Sequence, residues 1–271
     1  MLPASAAEWM IRMKVVILAG GKGTRISEES VAKPKPMVEI GDRPILWHIM
    51  KIYSSYGFND FIICCGYKGY IIKEYFANYY LHMSDVTFDF MDENRIKIHN
   101  NIAEPWKVTL VDTGLETMTG GRIRRIQMYI PKGESFLMTY GDGVSDVNID
   151  ELISYHKMKR CTATMTIVQP DGRYGIVDVD NTSGIVKSFI EKPVGNGSWI
   201  NGGFFVLNYN IFDYLKDDAM VFEKEPLKNL VEISELAAYK HYGYWQSMDS
   251  LRDKNVLEEV WRGGKAPWKR W

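Results

Sequence analysis

The sequence predicts an α/β protein with a mostly parallel but mixed central sheet, flanked by helices and followed by a C-terminal extension. Three observations predict this class. Residues 14–19 form a short apolar, β-branched run, typical of a strand buried on both faces. Helical and strand-like segments then alternate as far as residue 80, which favours right-handed crossovers in a parallel sheet. After residue 163 short strand-like runs follow one another, so antiparallel strands are expected to join the sheet.

The first half of the chain carries the alternating elements. Pro44 opens a predicted helix in which apolar residues recur at helical spacing until Gly57 ends it. Residues 60–65 are the next predicted strand, and residues 69–80 are the next helix. Residues 86–106 show a mixed pattern and are expected to be irregular.

The second half is predicted to hold a helix, a strand that ends at Gly-Asp-Gly, a second helix and then several strands. The predicted helices are 122–129 and 150–159, and the predicted strands are 136–140, 163–168, 175–180, 185–192 and 201–208. Since neither an internal repeat nor a Ser/Pro-rich linker interrupts the chain, we expect one continuous domain. Its expected parts are an N-terminal leader (1–12), the main domain (13–222) and a C-terminal extension (223–271) that completes the site and forms an oligomer interface.

The composition is that of an ordinary globular protein, and it excludes several classes of partner. Lys and Arg number 33 against 34 Asp and Glu among 271 residues, for a net charge of -1. A nucleic acid or an anionic membrane would require a clustered basic excess, so the expected partner is a small molecule. No apolar run approaches the roughly 20 residues that span a bilayer. The three cysteines (Cys64, Cys65 and Cys161) lack a metal-binding spacing, which indicates reduced thiols in a cytoplasmic protein.

A glycine-rich, basic loop follows the first strand in the stretch VVILAGGKGTR. It differs from the dinucleotide fingerprint, because Ile26 stands where that motif needs its third glycine. It differs from a Walker loop, because Val16 stands where that motif needs its first glycine. Arg25, Lys33 and Lys35 follow within a short segment, and backbone N–H groups with three cations suit a polyphosphate. Each lysine precedes a proline, which predicts extended backbone at both.

These residues carry a resemblance to a known family. The loop from Leu18 to Arg25, the segment KPKPMVEIG, and the stretches EPWKVTLVDTG and TGGR resemble the sugar-1-phosphate nucleotidyltransferases. The resemblance runs from Met13 nearly to the end of the chain. It implies a single Rossmann-like nucleotidyltransferase domain, and an enzyme that makes a nucleoside diphosphate sugar from a nucleoside triphosphate and a sugar 1-phosphate.

Within that family, the sequences of these segments are most similar to those of the members that act on CTP and glucose 1-phosphate. The resemblance therefore implies formation of CDP-glucose and pyrophosphate, feeding the CDP-deoxysugars of bacterial O-antigen in lipopolysaccharide. It also implies a homo-oligomer, for which a hexamer is one candidate. UTP or dTTP stays open in place of CTP, because no sequence rule selects cytosine. A non-catalytic regulatory subunit that binds nucleotide sugars and a glycosyltransferase of similar fold are further alternatives.

The resemblance also implies the site residues. Arg25 and Lys35 are the expected catalytic residues, with Lys35 neutralising charge on the reacting phosphate rather than transferring a proton. The nucleotide is expected to contact Leu18, Ala19, Gly20, Gly21, Gly23, Thr24, Arg25, Thr113, Gly114, Gly120, Gly121 and Gly141. The sugar phosphate is expected to contact Lys35, Gly175, Glu191, Lys192, Asn201 and Gly202.

Mg²⁺ is the expected cofactor, because the reaction crowds negative charge and a hard cation takes oxygen ligands. Asp142 is the first candidate ligand, since it follows a buried strand at the sheet edge where open α/β sheets bind ligands. The resemblance implies Asp249 as the second. Asp146 is expected to cap a helix, and Asp253 to be an early helical charge behind a Ser250 cap.

Two further groups of side chains receive structural expectations. His48 and His156 lie in helical patterns and are expected to be structural. Trp261, Trp268 and Trp271 near the C-terminus need a surface to cover, either on their own subunit or on a neighbour.

Overall fold

The computed structural model describes residues 13–23, 32–91, 95–169, 176–180, 182–190 and 198–271. The predictions for the leader 1–12 and for Thr24, Arg25, Gly175, Glu191 and Lys192 lie outside the described residues. The described strands are β1 (Val15–Leu18), β2 (Glu39–Ile40), β3 (Arg43–Pro44), β4 (Asp60–Cys65), β5 (Ser84–Asp89), β6 (Arg95–Asn101), β7 (Lys107–Asp112), β8 (Ser135–Tyr140), β9 (Gly143–Ser145), β10 (Ala163–Val168), β11 (Ile176–Val179), β12 (Val186–Ile190), β13 (Ile200–Asn208), β14 (Leu236–Lys240) and β15 (Trp245–Ser247). The described α-helices are α1 (Ile45–Ser54), α2 (Gly69–His82), α3 (Thr119–Arg125), α4 (Ile149–Lys159), α5 (Glu225–Glu232) and α6 (Leu251–Arg262).

Seven of these strands form one central sheet in the order β14-β10-β13-β8-β1-β4-β7. The middle strands pair in parallel, β8 with β1, β1 with β4 and β4 with β7. At the other edge β14 is parallel to β10, and β13 runs antiparallel to both of its neighbours. Helices cover both faces, so the α/β class with a mostly parallel, mixed sheet is confirmed.

The side chains of β1 alternate between two hydrophobic cores, one on each face of the sheet. Val15 and Ile17 pack in the core that includes residues of α1, α2, α4 and α6. Val16 and Leu18 pack in the core that includes residues of α3 and α5. All four side chains are buried, which is why this strand is continuously apolar rather than alternating.

The expectation that residues 86–106 are irregular is wrong. β5 and β6 form an antiparallel pair, and β7 then joins the edge of the central sheet beside β4. A period-two signal was present, because Val86 and Phe88 in β5 and Ile96 and Ile98 in β6 alternate with polar residues. Most side chains of this pair stay exposed, so the sequence lacks the compact apolar run that marked β1 and β4.

The helix predicted over 122–129 begins earlier and is shorter. It runs as α3 from Thr119 and gives way to a 3₁₀ turn over Gln127–Tyr129. Gly120 and Gly121 lie inside its first turn, although glycine ordinarily disfavours helix interiors. Close packing against the backbone of residues 218–220 explains their presence there.

The chain after residue 222 packs on the same sheet and core. β14 pairs with β10, and β15 pairs antiparallel with β9. Beyond α6, Trp268 is 1% exposed and stacks against Trp261, and Trp271 meets Trp47 edge to face. The C-terminal tryptophans therefore cover their own subunit. In the parts of the chain that the structure describes, no helix has the length and apolar character to cross a membrane.

Candidate active site

A cavity of about 400 Å³ lies at the carboxyl ends of β1 and β8. From β1 the chain proceeds outward to β4 and β7 on one side, and it later returns to pair β8 on the other side. The strand order therefore reverses between β1 and β8. Open α/β sheets bind ligands at such a point, because the loops diverge there and leave a crevice.

The glycine loop after β1 lines this cavity through its backbone. The lining residues from this loop are Leu18, Ala19, Gly20, Gly21 and Gly23. A Cβ on Gly20 would lie 2.1 Å from Arg122 Nη1, so a side chain there would displace the Arg122 guanidinium. Gly23 has a φ of +62°, a conformation that favours glycine. Gly141 also lines the cavity, with its N–H donating to Leu18 C=O at 3.0 Å.

The facing wall comes from the segment TMTGGR, but through other residues than those expected. Thr117, Met118, Thr119 and Arg122 line the cavity, while Thr113, Gly114, Gly120 and Gly121 are not among the described residues that do. The two helical glycines instead let α3 approach the backbone of residues 218–220. A Cβ on Gly120 would lie 2.8 Å from Met220 O, and one on Gly121 would lie 2.6 Å from Asp218 Cα.

Arg122 connects the loops that line the cavity, a role that was not predicted from the sequence. Its buried guanidinium donates to Gly20 C=O at 3.0 Å, to Thr113 Oγ1 at 2.7 Å and to Gly114 C=O at 2.8 Å. Burial lowers the pKa of Arg122. The Thr113 hydroxyl donates to Cys65 C=O at 2.7 Å, so it belongs to this network. The arginine at the end of the TGGR segment is the sequence feature from which this role could have been predicted.

Lys35 lies between two carboxylates. Its Nζ donates to Asp142 Oδ2 at 2.6 Å and to Asp249 Oδ1 at 2.8 Å. Lys35 begins a single 3₁₀ turn, in which Met37 N–H donates to Pro34 C=O at 2.8 Å. The expectation of extended backbone at Lys35 is therefore wrong: Pro34 before it is extended, and Lys35 itself lies in the turn.

The charge of Lys35 follows from two opposing effects. Burial lowers its pKa, while Asp142 and Asp249 raise it through charge and hydrogen bonds. The carboxylates prevail, so the pKa of Lys35 lies above its ordinary value. The side chain is therefore an ammonium ion at neutral pH, suited to neutralising a phosphate and unsuited to accepting a proton.

Strand pairing brings the two carboxylates together. In the β9–β15 pair, Gly143 lies opposite Ser247, and the next residue, Met248, donates its N–H to Asp142 C=O at 2.8 Å. Asp249 follows directly. Ser247 Oγ then donates to Asp249 Oδ2 at 2.9 Å, which orients that carboxylate.

The start of α6 holds Asp249 from the other side. Ser250 and Asp253 form a capping box, as expected from the sequence. The Asp253 carboxylate also accepts from Asp249 N–H at 3.1 Å. The expectation that Asp146 caps a helix is wrong, because Asn148 is the N-cap residue of α4.

A second cavity of about 310 Å³ lies beside the first. Asn201 and Gly202 of β13 line it, and both were expected to contact the sugar phosphate. Tyr140, Asp142 and Asp249 line both cavities. The junction of the two cavities is therefore marked by the two carboxylates that hold the lysine.

The donor set at this junction suits Mg²⁺. The side chains of Asp142 and Asp249 are 31% and 35% exposed, so their oxygens can reach a ligand. Among the described residues no group of three or more His, Cys, Asp or Glu side chains gathers to hold a metal. Mg²⁺ commonly takes one or two carboxylates and completes its shell with phosphate oxygens and water. Two carboxylates beside the cavity lined by the glycine loop provide the protein ligands of such a shell.

The two histidines expected to be structural are buried inside the fold. His48 Nε2 contacts Ile40 C=O at 2.9 Å. The His156 ring contacts Thr164 Oγ1 at 2.8 Å and Asn208 Oδ1 at 2.9 Å. Burial lowers the pKa of both rings, so each is neutral at pH 7 and serves packing, as predicted.

Residues 14–253 match the nucleotidyl transferase family. The chain belongs to that family, and the resemblance inferred from its motifs is confirmed.

The relatives define the match further. The chain is 60% identical over 259 residues to the glucose-1-phosphate cytidylyltransferase of Salmonella typhi, covering 96% of this chain and 100% of that protein. It is 46% identical over 260 residues to the probable glucose-1-phosphate cytidylyltransferase of Bacillus subtilis (strain 168), with the same coverage. The crystal structure of HddC from Yersinia pseudotuberculosis superposes with a TM-score of 0.65 at 26% identity, covering 92% of this chain and 99% of that one.

Proposed function

We propose that the protein transfers a cytidylyl group from CTP to glucose 1-phosphate, giving CDP-glucose and pyrophosphate. The observation that carries the proposal is the junction of two cavities at Lys35, Asp142 and Asp249. A nucleoside triphosphate and a sugar phosphate in neighbouring cavities would meet at that point. The choice of CTP and glucose 1-phosphate is supported by the relatives that are 60% and 46% identical over nearly the whole chain.

The reaction needs positioning and charge neutralisation. A phosphate oxygen of glucose 1-phosphate attacks the α-phosphorus of CTP, and the bond from that phosphorus to the β-phosphate oxygen breaks, so that pyrophosphate leaves with the electron pair. Lys35 remains protonated and stabilises the charge that builds up on the α-phosphate. Asp142 and Asp249 would hold Mg²⁺, which when bound supplies further positive charge to the phosphates.

Each remaining predicted residue has a proposed role. The glycine loop would present backbone N–H groups to the triphosphate, with Thr24 and Arg25 continuing that contact. Thr113, Gly114, Gly120 and Gly121 would support the base pocket through their packing around Arg122 and α3. Asn201, Gly202, Gly175, Glu191 and Lys192 would enclose the sugar, with Lys192 on its phosphate.

A panel of triphosphates tests the base preference. Pyrophosphate release is measured with glucose 1-phosphate and equal concentrations of CTP, UTP or dTTP at one Mg²⁺ concentration. We expect CTP to be preferred by at least about tenfold, because a buried polar group left unpaired rejects a wrong base strongly. Equal rates with the three triphosphates would contradict the proposal. If the protein is supplied with CDP-glucose and no pyrophosphate, consumption of the CDP-glucose would favour the glycosyltransferase alternative. Binding of nucleotide sugar without turnover would favour the regulatory subunit.

We further propose a cytoplasmic homo-oligomer. The β5–β6 pair exposes Phe88 at 49%, Ile96 at 53% and, just beyond β5, Phe90 at 80% and Met91 at 97%. Apolar side chains clustered at one place favour burial against another subunit. Light scattering during gel filtration measures the mass in solution, and a monomer would contradict this part of the proposal. Cys64 and Cys65 are buried free thiols, as suits a reducing compartment.

A further inference from the structure

Tyr140 forms the partition between the two cavities. It is the last residue of β8, two residues before Asp142, and it lines both cavities. Its ring lies against the backbone of Gly203, where a Cβ would be 2.8 Å from Tyr140 Cδ2. Gly203 has a φ of +80°, so this close approach depends on glycine.

The carboxylate of Glu223 binds the hydroxyl of Tyr140, and Glu223 takes no part in the proposed transfer step. Tyr140 donates its hydroxyl hydrogen to Glu223 Oε1. Thr119 Oγ1, which belongs to the wall of the first cavity, donates to Glu223 Oε2 at 2.6 Å. Asn201 Nδ2, which belongs to the second cavity, donates to the Tyr140 hydroxyl oxygen at 3.2 Å. Glu223 is thus linked to residues of both cavities.

The donors at the two ends fix the direction of this chain of hydrogen bonds. Phe222 N–H donates to Thr119 Oγ1 at 2.9 Å, so that hydroxyl already accepts and gives its hydrogen to Glu223. At the other end, Asn201 Oδ1 accepts from Gly203 N–H at 2.8 Å, so its amide nitrogen must face Tyr140. Both hydroxyls therefore need an acceptor between them. An ionised carboxylate, which only accepts, is the group that satisfies both at once.

We infer that Glu223 is a positioning residue that sets the geometry of the nucleotide cavity and the sugar cavity together, by holding Tyr140 and Thr119 through its two carboxylate oxygens. The inference rests on the proposed function and adds to it a residue outside the family motifs quoted above. Its consequence is that loss of the Glu223 carboxylate weakens the binding of both substrates.

Kinetics of Glu223→Gln test the inference, with rates measured over a grid of CTP and glucose 1-phosphate concentrations. The introduced side-chain amide would offer one acceptor and one donor group where two acceptors are needed, so one hydroxyl loses its partner. We expect the KM values for both substrates to rise roughly tenfold, as for loss of a charge-assisted hydrogen bond. The kcat should fall less than about threefold, because the carboxylate–lysine junction is untouched.

Two further variants separate positioning from folding. Glu225→Gln removes an exposed ion pair with Lys216 (2.8 Å) from the same segment, and it should leave both KM values unchanged. Tyr140→Phe keeps the ring but removes the hydroxyl that Glu223 and Asn201 share. The double variant Tyr140→Phe, Glu223→Gln should have KM values no higher than those of whichever single variant is more affected, because both changes break the same chain of hydrogen bonds.

Several outcomes would overturn the inference. The first is that both KM values of Glu223→Gln lie within twofold of those of wild type. The second is that the KM rises for only one of the two substrates. The third is that the KM increases of the two single variants multiply in the double variant. A lower melting temperature with reduced kcat and normal KM would show a merely structural role. Failure of wild type to use glucose 1-phosphate with any triphosphate in the panel would instead contradict the proposed function, and this inference would fall with it.

Discussion

At the scale of single residues, the central feature is a lysine shared by two carboxylates. Lys35 is 11% exposed at its side chain and bonded to both Asp142 and Asp249. A buried ammonium ion without partners would tend to lose its proton, but here the pKa rises. The three side chains together carry a net negative charge, which favours binding of a divalent cation at the two carboxylates.

Replacing Lys35 with alanine should slow the transfer strongly. Loss of one positioned charge in a partly buried site costs about 100- to 1000-fold in kcat, by analogy with lost oxyanion donors. Lys216→Ala is the matched control, since Lys216 pairs with Glu225 at 2.8 Å at an exposed position and lines neither cavity. Turnover is measured as pyrophosphate release, and folding by thermal melting. A Lys35→Ala variant with nearly normal turnover would remove this lysine from the mechanism.

Asp142→Asn should raise the Mg²⁺ requirement. An amide is a weaker ligand than a carboxylate for a hard cation, so half-maximal activity should need roughly ten times more Mg²⁺. Asp60→Asn serves as the control, because Asp60 begins β4 at the opposite end of the sheet and pairs with Lys14 and Lys107. An unchanged Mg²⁺ titration of Asp142→Asn would count against the ligand assignment.

At the scale of elements, short strands bring the site together. β9 and β15 have three residues each, yet their pairing places Asp142 and Asp249 on one lysine. The strands β4 and β10 were predicted with their observed bounds, because a continuous apolar run marks β4 and a stretch of apolar and β-branched residues marks β10. The β5–β6 pair was missed, since its exposed faces leave only a weak alternation. Three-residue strands carry too little pattern to be predicted at all.

The capping box of α6 supports both stability and activity. Ser250→Ala should lower the free energy of unfolding by about 1 kcal/mol, the usual value of an N-cap. It should also reduce kcat, because the same box holds the backbone of Asp249 through Asp253. Chemical denaturation and steady-state rates measure the two effects.

The matched control is Asn148→Ala, which removes the N-cap of α4. It should cost a similar amount of stability and leave kcat unchanged, because α4 does not carry Asp249. Equal effects of the two caps on kcat would show that the α6 cap has no special relation to the site.

At the scale of the whole molecule, the C-terminal tail closes over α1. His48 of α1 contacts Ile40 C=O through Nε2, and its Nδ1 accepts from Trp268 Nε1 at 3.4 Å. The ring is therefore neutral, with its hydrogen on Nε2. Burial lowers the pKa of His48 to about 4. A proton added at Nδ1 would break the contact with Trp268.

This gives a pH dependence with a definite sign. The unfolded chain takes up the His48 proton below about pH 6.5, whereas the folded protein takes it up only near pH 4. Stability is therefore full above pH 6.5 and falls by roughly 3 kcal/mol as pH falls to 4. Urea denaturation across this range should show a shallower loss for His48→Gln than for wild type. His82→Gln, at an exposed position, is the control, and parallel curves for all three proteins would contradict the assignment.

The sequence by itself determined the fold class, the family and the cavity-lining role of the glycine loop, because these depend on local signals. A continuous apolar run marks a strand buried on both faces, and glycines mark close backbone approach. Lys35, Asp142 and Asp249 could be named individually from the sequence. However, Asp142 lies 107 residues and Asp249 lies 214 residues from Lys35 along the chain. Their contact, the partition at Tyr140 and the links of Glu223 and Arg122 were decided only by the tertiary structure. Strand order and strand pairing set those distances, and neither is encoded in a local pattern.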